Sequence, residues 1–263
     1  MIDLHVEADP EGLPPLLLLH GFLSSPAQWG SNASLSRHFR CIRAALPGHA
    51  GAPAPDRAAD YHPDALAAAL DALRVRLGIE RWAICGASFG AAITLRHALD
   101  RPDRVTAQVF TNANGAFRTA WSDEMLAAHQ ARIDALLREG ASALRRFPYH
   151  PAHARRFPPE LRARLARDAD GCDVGAVLHL LREAMTRLSV LDRFAQTRVP
   201  TLLINGRRER AFQPVRDLAV ETLPALQVVD LDGGHSVNVE APEAFDTAMT
   251  GFLSEWVVDA RHR

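Results

Sequence analysis

The stretch "ICGASFG", Ile84 to Gly90, joins an apolar run to a helical pattern through a serine held between two glycines. Ahead of it "RWAICG" reads as a buried strand, and behind it "FGAAITLRHALD" reads as a helix that stops before Pro102. Ser88 at such a junction has two readings. It is a helix N-cap, or it is a nucleophile presented by a sharp strand-to-helix turn. The second reading needs Gly86 and Gly90, because a side chain at either position would strike the neighbouring strand or helix. The helix that starts at Phe89 turns free backbone N–H groups and its positive end toward the same spot. The Phe89 N–H is then placed to hold a developing oxyanion.

The same alternation extends outward along the chain. "IDLHVE" alternates like an edge strand, and "PLLLLHG" is a short apolar run of the kind buried on both sheet faces. "RCIRAALPGH" is a strand running into a turn, followed by an amphipathic helix over Asp64 to Leu77. "RVTAQVFTN", "VPTLLINGRRE" and "LQVVDLDGGH" read as strands. "PVRDLAVETL" and "PEAFDTAMTGFLSEWV" read as helices. Strands alternating with helices imply crossovers and an α/β fold with a mostly parallel, doubly wound sheet. Ligand sites in such sheets lie beyond the carboxyl ends of the strands. The residues there are His20-Gly21-Phe22, Pro47-Gly48-His49, Ser88, Asn112, Asn114, Glu209 and His235.

One stretch breaks the rhythm. About 90 residues separate Thr111 from Thr201, where a crossover needs roughly a dozen. The stretch is helical in pattern, and it enters where the strand ends converge. The division expected is a core of residues 1–114 and 194–263 with a helical cap at 115–193. The alternative is extra packing at the sheet edge.

Strand ends also supply partners for Ser88. His235 follows the last strand through Gly233-Gly234 and precedes the last helix, on the loop side of the sheet. A neutral imidazole there can take the serine proton. An imidazole in that role needs an anion to fix its tautomer. Glu209 is the acid in the loop after "PTLLIN"; Asp230 and Asp232 are rivals that flank the last strand. Set against Glu209 is a plain surface ion pair with Arg207, Arg208 or Arg210. Phe22, after the His-Gly pair, is positioned to supply a second oxyanion N–H. His20 is read as holding that loop by hydrogen bonding, and Trp29 as packing. Gly21, Asn112 and Asn114 are candidate substrate-binding residues, the asparagines alternatively turn formers.

Together His20-Gly21-Phe22, Leu46-Pro47-Gly48-His49, Gly86 through Gly90, Gly206 through Glu209 and Gly234-His235 resemble the α/β-hydrolase fold superfamily. The order Ser, acid, His matches it too. The resemblance covers nearly the whole chain outside the insertion. It implies a serine hydrolase with a helical cap, the triad Ser88-Glu209-His235, and neither metal nor organic cofactor. It implies no particular substrate. Within the superfamily, "LHGFLSS…W" with "LPGH" is similar to the menaquinone-pathway synthase that eliminates pyruvate, while Ala87 and Ala91 depart from that enzyme's pattern. Esterase-type hydrolysis is the expected activity. A lyase or carbon–carbon hydrolase on the same residues, and a non-catalytic ligand receptor, are the alternatives.

Composition narrows the partners. Net charge is -1 and hydrophobic residues make up 48%, so nothing draws the chain to nucleic acid or an anionic membrane. The 30 Lys and Arg residues are all Arg. Three cysteines, Cys41, Cys85 and Cys172, have neither metal-ligand nor disulfide spacing, which suits a reducing compartment. "MIDLHVEADPEG" is acidic where a secretory leader is basic, and no apolar run approaches membrane-spanning length. The expectation is a soluble cytoplasmic protein acting on a small molecule, of unknown oligomeric state. The insertion holds 13 Arg against 10 Asp plus Glu, a slight excess that suits either a substrate carboxylate or ordinary solvated helix faces.

Overall fold

A computed structural model describes residues 2–257. The expected core segments also include residues 1 and 258–263, which lie outside the described residues. The seven strands are β1 (Val6–Ala8), β2 (Pro15–Leu19), β3 (Arg40–Ala44), β4 (Trp82–Gly86), β5 (Val105–Phe110), β6 (Thr201–Gly206) and β7 (Gln227–Leu231). Their order across the sheet is β1-β3-β2-β4-β5-β6-β7. Among the described residues only β1 runs antiparallel, on β3; every other pair is parallel.

The helices are α1 (Pro63–Arg76), α2 (Phe89–Asp100), α3 (Asp123–Glu139), α4 (Pro159–Asp170), α5 (Val174–His179), α6 (Leu191–Phe194), α7 (Gln213–Thr222), α8 (Val237–Glu240) and α9 (Pro242–Trp256), with 3-10 turns between. Strand side chains alternate between faces, and the run "LLLL" shows what that does. Leu17 and Leu19 pack with α1 and α2 residues such as Leu70 and Ile93. Leu16 and Leu18 pack on the other face with Trp29, Phe245 and Met249. All four leucines are buried, which explains an unbroken apolar run in place of a half-polar one. Trp29 is fully buried against Phe245, as packing requires.

The insertion between β5 and β6 is built of helices, as its pattern predicts, and it has its own apolar centre. Ile133 and Leu136 of α3 join Leu144, Phe147, Val177 and Leu181 there. Residues 175–188 are helical in pattern, and the structure divides them: α5 gives way to a π turn at Leu180–Ala184 and a 3-10 turn at Met185–Arg187. The wider turn lets adjacent residues serve two cores. Leu180 and Ala184 pack into the sheet core, while Leu181 packs into the insertion. Several polar ties fasten the insertion to the sheet. The Asp173 N–H donates to Gly48 O at 2.8 Å, Ser25 Oγ donates to Asp168 at 2.6 Å, and Arg193 pairs with Asp100 at 2.6 Å. No helix among the described residues is long and apolar enough to cross a membrane.

Candidate active site

The carboxyl ends of β4, β6 and β7 bring three distant residues together. Ser88 occupies the turn between β4 and α2 with φ 53° and ψ −110°. That backbone conformation costs on the order of 1–3 kcal/mol for a residue with a side chain. Tight surroundings hold it in place. A Cβ on Gly86 would come within 2.5 Å of Ala91 Cα, and one on Gly90 within 2.5 Å of the His20 and Leu19 carbonyl oxygens. The crossing of β4, β2 and α2 is therefore close enough to require glycine twice. Ser88 makes no side-chain cap to α2. Its hydroxyl lies 2.8 Å from His235 Nε2 instead. The N-cap reading is thus set aside by geometry.

His235 Nδ1 lies 3.0 and 2.9 Å from the two Glu209 carboxylate oxygens. A carboxylate only accepts, so Nδ1 carries the proton and Nε2 is free to accept from the serine hydroxyl. Glu209 is held from behind. Asn112 Nδ2 donates to one of its oxygens at 2.7 Å and Asn114 Nδ2 to the other at 2.9 Å. Burial pushes the Glu209 carboxyl pKa up. Hydrogen bonds and charge from His235, with the two asparagine amides, outweigh burial and leave it below its ordinary value. The carboxylate is the form this site stabilises. The rivals face elsewhere. Asp230 accepts from Asn205 and Arg216, and Asp232 pairs with Arg208.

Asn112, expected as a pocket residue, is fully buried, and its Oδ1 accepts from the Gly206 N–H at 2.8 Å. It sits behind Glu209 and does not line the cavity, whereas Asn114 does both. Gly21 lines the cavity, and its N–H donates to Gln28 Oε1 at 3.0 Å. Among the described residues the Phe22 and Phe89 N–H groups find no acceptor, while those of Gly21, Leu23 and Gly90 are bonded. Two buried histidines fix the loop that carries Phe22. His20 contacts Gly21 O through Nδ1 at 2.7 Å and accepts from the Leu46 N–H at 3.0 Å. His49 Nε2 accepts from the Leu23 N–H at 3.3 Å. Burial holds both rings neutral, with the His20 pKa lowered to about 3 and that of His49 to about 4. Gln28, His49 and Glu240, which accepts from the Gly234 N–H next to His235, carry no sequence signal of these roles. Their partners are set by the crossing of segments, not by spacing.

The three residues open into a cavity of about 810 Å³ whose walls come from both parts of the chain. Ser88, Phe22 and His235 lie on the core side; Trp121, Met125, Tyr149 and Met185 come from the insertion. Among the described residues no group of three or more His, Cys, Asp or Glu side chains is arranged to hold a metal ion. Chemically the arrangement can activate a hydroxyl, stabilise the resulting imidazolium, and offer two N–H donors to an oxyanion.

Comparison with known proteins agrees with the fold. A family model described as alpha/beta hydrolase fold matches residues 14–242. A putative carbamate hydrolase RutD of Pseudomonas savastanoi pv. phaseolicola is 32% identical over 260 residues, 92% of this chain and 94% of the relative. A pimeloyl-[acyl-carrier protein] methyl ester esterase of Nitrosomonas europaea is 32% identical over 124 residues; that match spans about half of either protein, 46% of each. Among solved structures, a hydrolase from Pseudomonas aeruginosa PA01 superposes with a TM-score of 0.78 at 26% identity, covering 95% of this chain and 94% of its own.

Proposed function

The chain belongs to the alpha/beta hydrolase fold family, and we propose that it is a serine hydrolase that cleaves a carboxylic ester or related acyl bond of a small molecule. The observation that carries this reading is the 2.8 Å approach of Ser88 Oγ to His235 Nε2, with Glu209 on the far side of the ring. Ser88 Oγ attacks the substrate carbonyl carbon as its proton passes to His235 Nε2. Glu209 keeps the ring oriented and stabilises the imidazolium. The Phe22 and Phe89 N–H groups hold the oxyanion of the tetrahedral intermediate. Collapse expels the alcohol, which takes the proton from His235, and leaves an acyl group on Ser88. A water that gives a proton to His235 then attacks the acyl carbon, the bond to Ser88 Oγ breaks as Ser88 retakes that proton, and the acid is released.

In this reading residues 115–193 form a cap that shapes the pocket, and residues 1–114 with 194–263 form the catalytic core. Support comes from the cavity walls, which both segments share. The test is a panel of p-nitrophenyl esters of increasing chain length, run with the protein and with Ser88→Ala. Alanine adds no atom to the turn, so the variant should keep its circular dichroism spectrum and lose turnover. Full activity in Ser88→Ala would refute the assignment. An intact protein that turns over no ester would favour the lyase or receptor alternatives.

A further inference from the structure

The cavity wall contributed by the insertion carries positive charge that the protein leaves unanswered. Four arginines, Arg118, Arg132, Arg155 and Arg156, line the cavity against two glutamates, Glu209 and Glu240. Glu209 is engaged by His235, and Glu240 pairs with Arg156. Among the described residues Arg118, Arg132 and Arg155 have no carboxylate within ion-pair distance. Other arginines of the insertion do, among them Arg145, Arg146, Arg187 and Arg193.

Arg118 and Arg132 share a further property. A guanidinium has five N–H donors in its plane. Arg118 Nη1 meets only the thioether of Met125, at 3.2 Å, and its Nε is buried without a partner. Its Cζ lies 4.7 Å over the Trp121 ring, and Arg132 Cζ lies 5.9 Å over the Tyr149 ring. Arg132 is seven residues, two turns or about 10 Å, from Met125 along α3, so Met125 and Arg132 share the helix face that lines the cavity, and Arg118 reaches that face through Met125. An aromatic ring braces a guanidinium through its flat face. The in-plane donors stay available, and those donors are the ones that match a carboxylate. Leaving a partly buried guanidinium unpaired is unfavourable, and a carboxylate ligand removes that cost.

We infer that Arg118 and Arg132 are a docking pair for a free carboxylate carried by the substrate in addition to its scissile ester. The inference rests on the hydrolase reading of Ser88, and the experiment separates the two. The first measurement compares kcat/KM for p-nitrophenyl hemiglutarate and for p-nitrophenyl valerate, esters of matched length that differ in one terminal charge. The wild-type protein should favour the hemiglutarate by about ten-fold or more, the usual scale for a charge-assisted bond. The preference should fall toward parity in Arg118→Met and in Arg132→Met, which keep the apolar stem. Parity in the wild-type protein overturns the pair even if a variant fails to fold. The second measurement is calorimetric binding of glutarate and of uncharged glutaramide to wild type and Arg118→Met. It needs no turnover.

Equal hydrolysis of the two esters, or a preference that neither substitution moves, overturns the docking pair and leaves Ser88 untouched. Absence of hydrolysis with both esters, together with glutarate binding that Arg118→Met abolishes, overturns the hydrolase reading and leaves the docking pair standing. Glutarate and glutaramide binding alike, or neither binding, counts against the pair.

Discussion

Ser88 on the core side and Arg118 on the insertion side line the same cavity, and the protein treats them in opposite ways. Around Ser88 the backbone is fixed at every step. Glycines at 86 and 90 meet atoms of the neighbouring segments, His20 and His49 clamp the adjoining loop, and Glu209 receives three side-chain donors. Around Arg118 the side chains are braced by aromatic rings and a thioether, and hydrogen-bond donors are left over. The difference separates two tasks. Reacting atoms must be held before the substrate arrives, and the polar groups that recognise a substrate must be unspent until it does. In this account chemistry belongs to the core wall and selectivity to the wall of the insertion.

Substitutions on the two walls should differ in size and kind. The largest effect is expected at the nucleophile and base. Ser88→Ala or His235→Ala should each lower kcat for an activated ester by about 10⁴-fold or more. A loss confined to KM would place Ser88 in binding only. Glu209→Gln should come next, lowering kcat by about 10³-fold, because an amide stabilises neither the tautomer nor the imidazolium as a carboxylate does. Asp230→Asn is the control. If it produced the large loss and Glu209→Gln did not, the acid would be misassigned.

Stability should divide the two walls as well. Gly90→Ala forces a Cβ to within 2.5 Å of two carbonyl oxygens, so urea unfolding should show a loss of about 3 kcal/mol. Arg132→Met, on a half-exposed site of the other wall, should change stability by under about 1 kcal/mol. Equal effects would dissolve the contrast.

A change of pH should have a smaller effect than Gly90→Ala. His20, His49 and His97 are buried, and burial lowers their pKa values to about 3, about 4 and about 4. Each stays neutral in the folded protein, whereas in the unfolded chain each binds a proton near pH 6.5. The unfolded state therefore binds more protons as pH falls from that value, and stability falls with it until the folded-state pKa is reached. From pH 7 to pH 6 the three together should lower unfolding free energy by roughly 2 kcal/mol. Chemical denaturation at the two pH values measures it, and a flat profile would mean that the rings protonate without unfolding.

Local features of the sequence account for most of the core. The alternation in "LLLL", the helical period after Phe89 and the glycines about Ser88 are properties of neighbouring residues, so they are legible without a structure. His235 and Glu209 were legible one step further out, because strand ends in a parallel sheet converge. Side-chain direction beyond a strand end was not. Asn112 and Asn114 read equally well as pocket residues or turn formers, and only the packed loop turns both amides onto Glu209. The insertion was legible as helices, but not which of its arginines face the cavity. Arg118 and Arg145 look alike in sequence. Arg118 lies over Trp121, three residues along the chain, whereas Arg145 pairs with Asp170 at the far end of α4, a partner set by how separate segments pack, which no local period encodes. The π turn at Leu180–Ala184 was hidden for the same reason, since it answers two cores at once.

In the proposed reaction Ser88 carries the acyl group between the two halves. The most direct test quenches the protein with acid during turnover of a p-nitrophenyl ester and maps acylated peptides by mass spectrometry. A burst of p-nitrophenol and one acyl group on Ser88 are expected, both absent in Ser88→Ala. Turnover with no acyl group on Ser88, or with the acyl group on another residue, would contradict it.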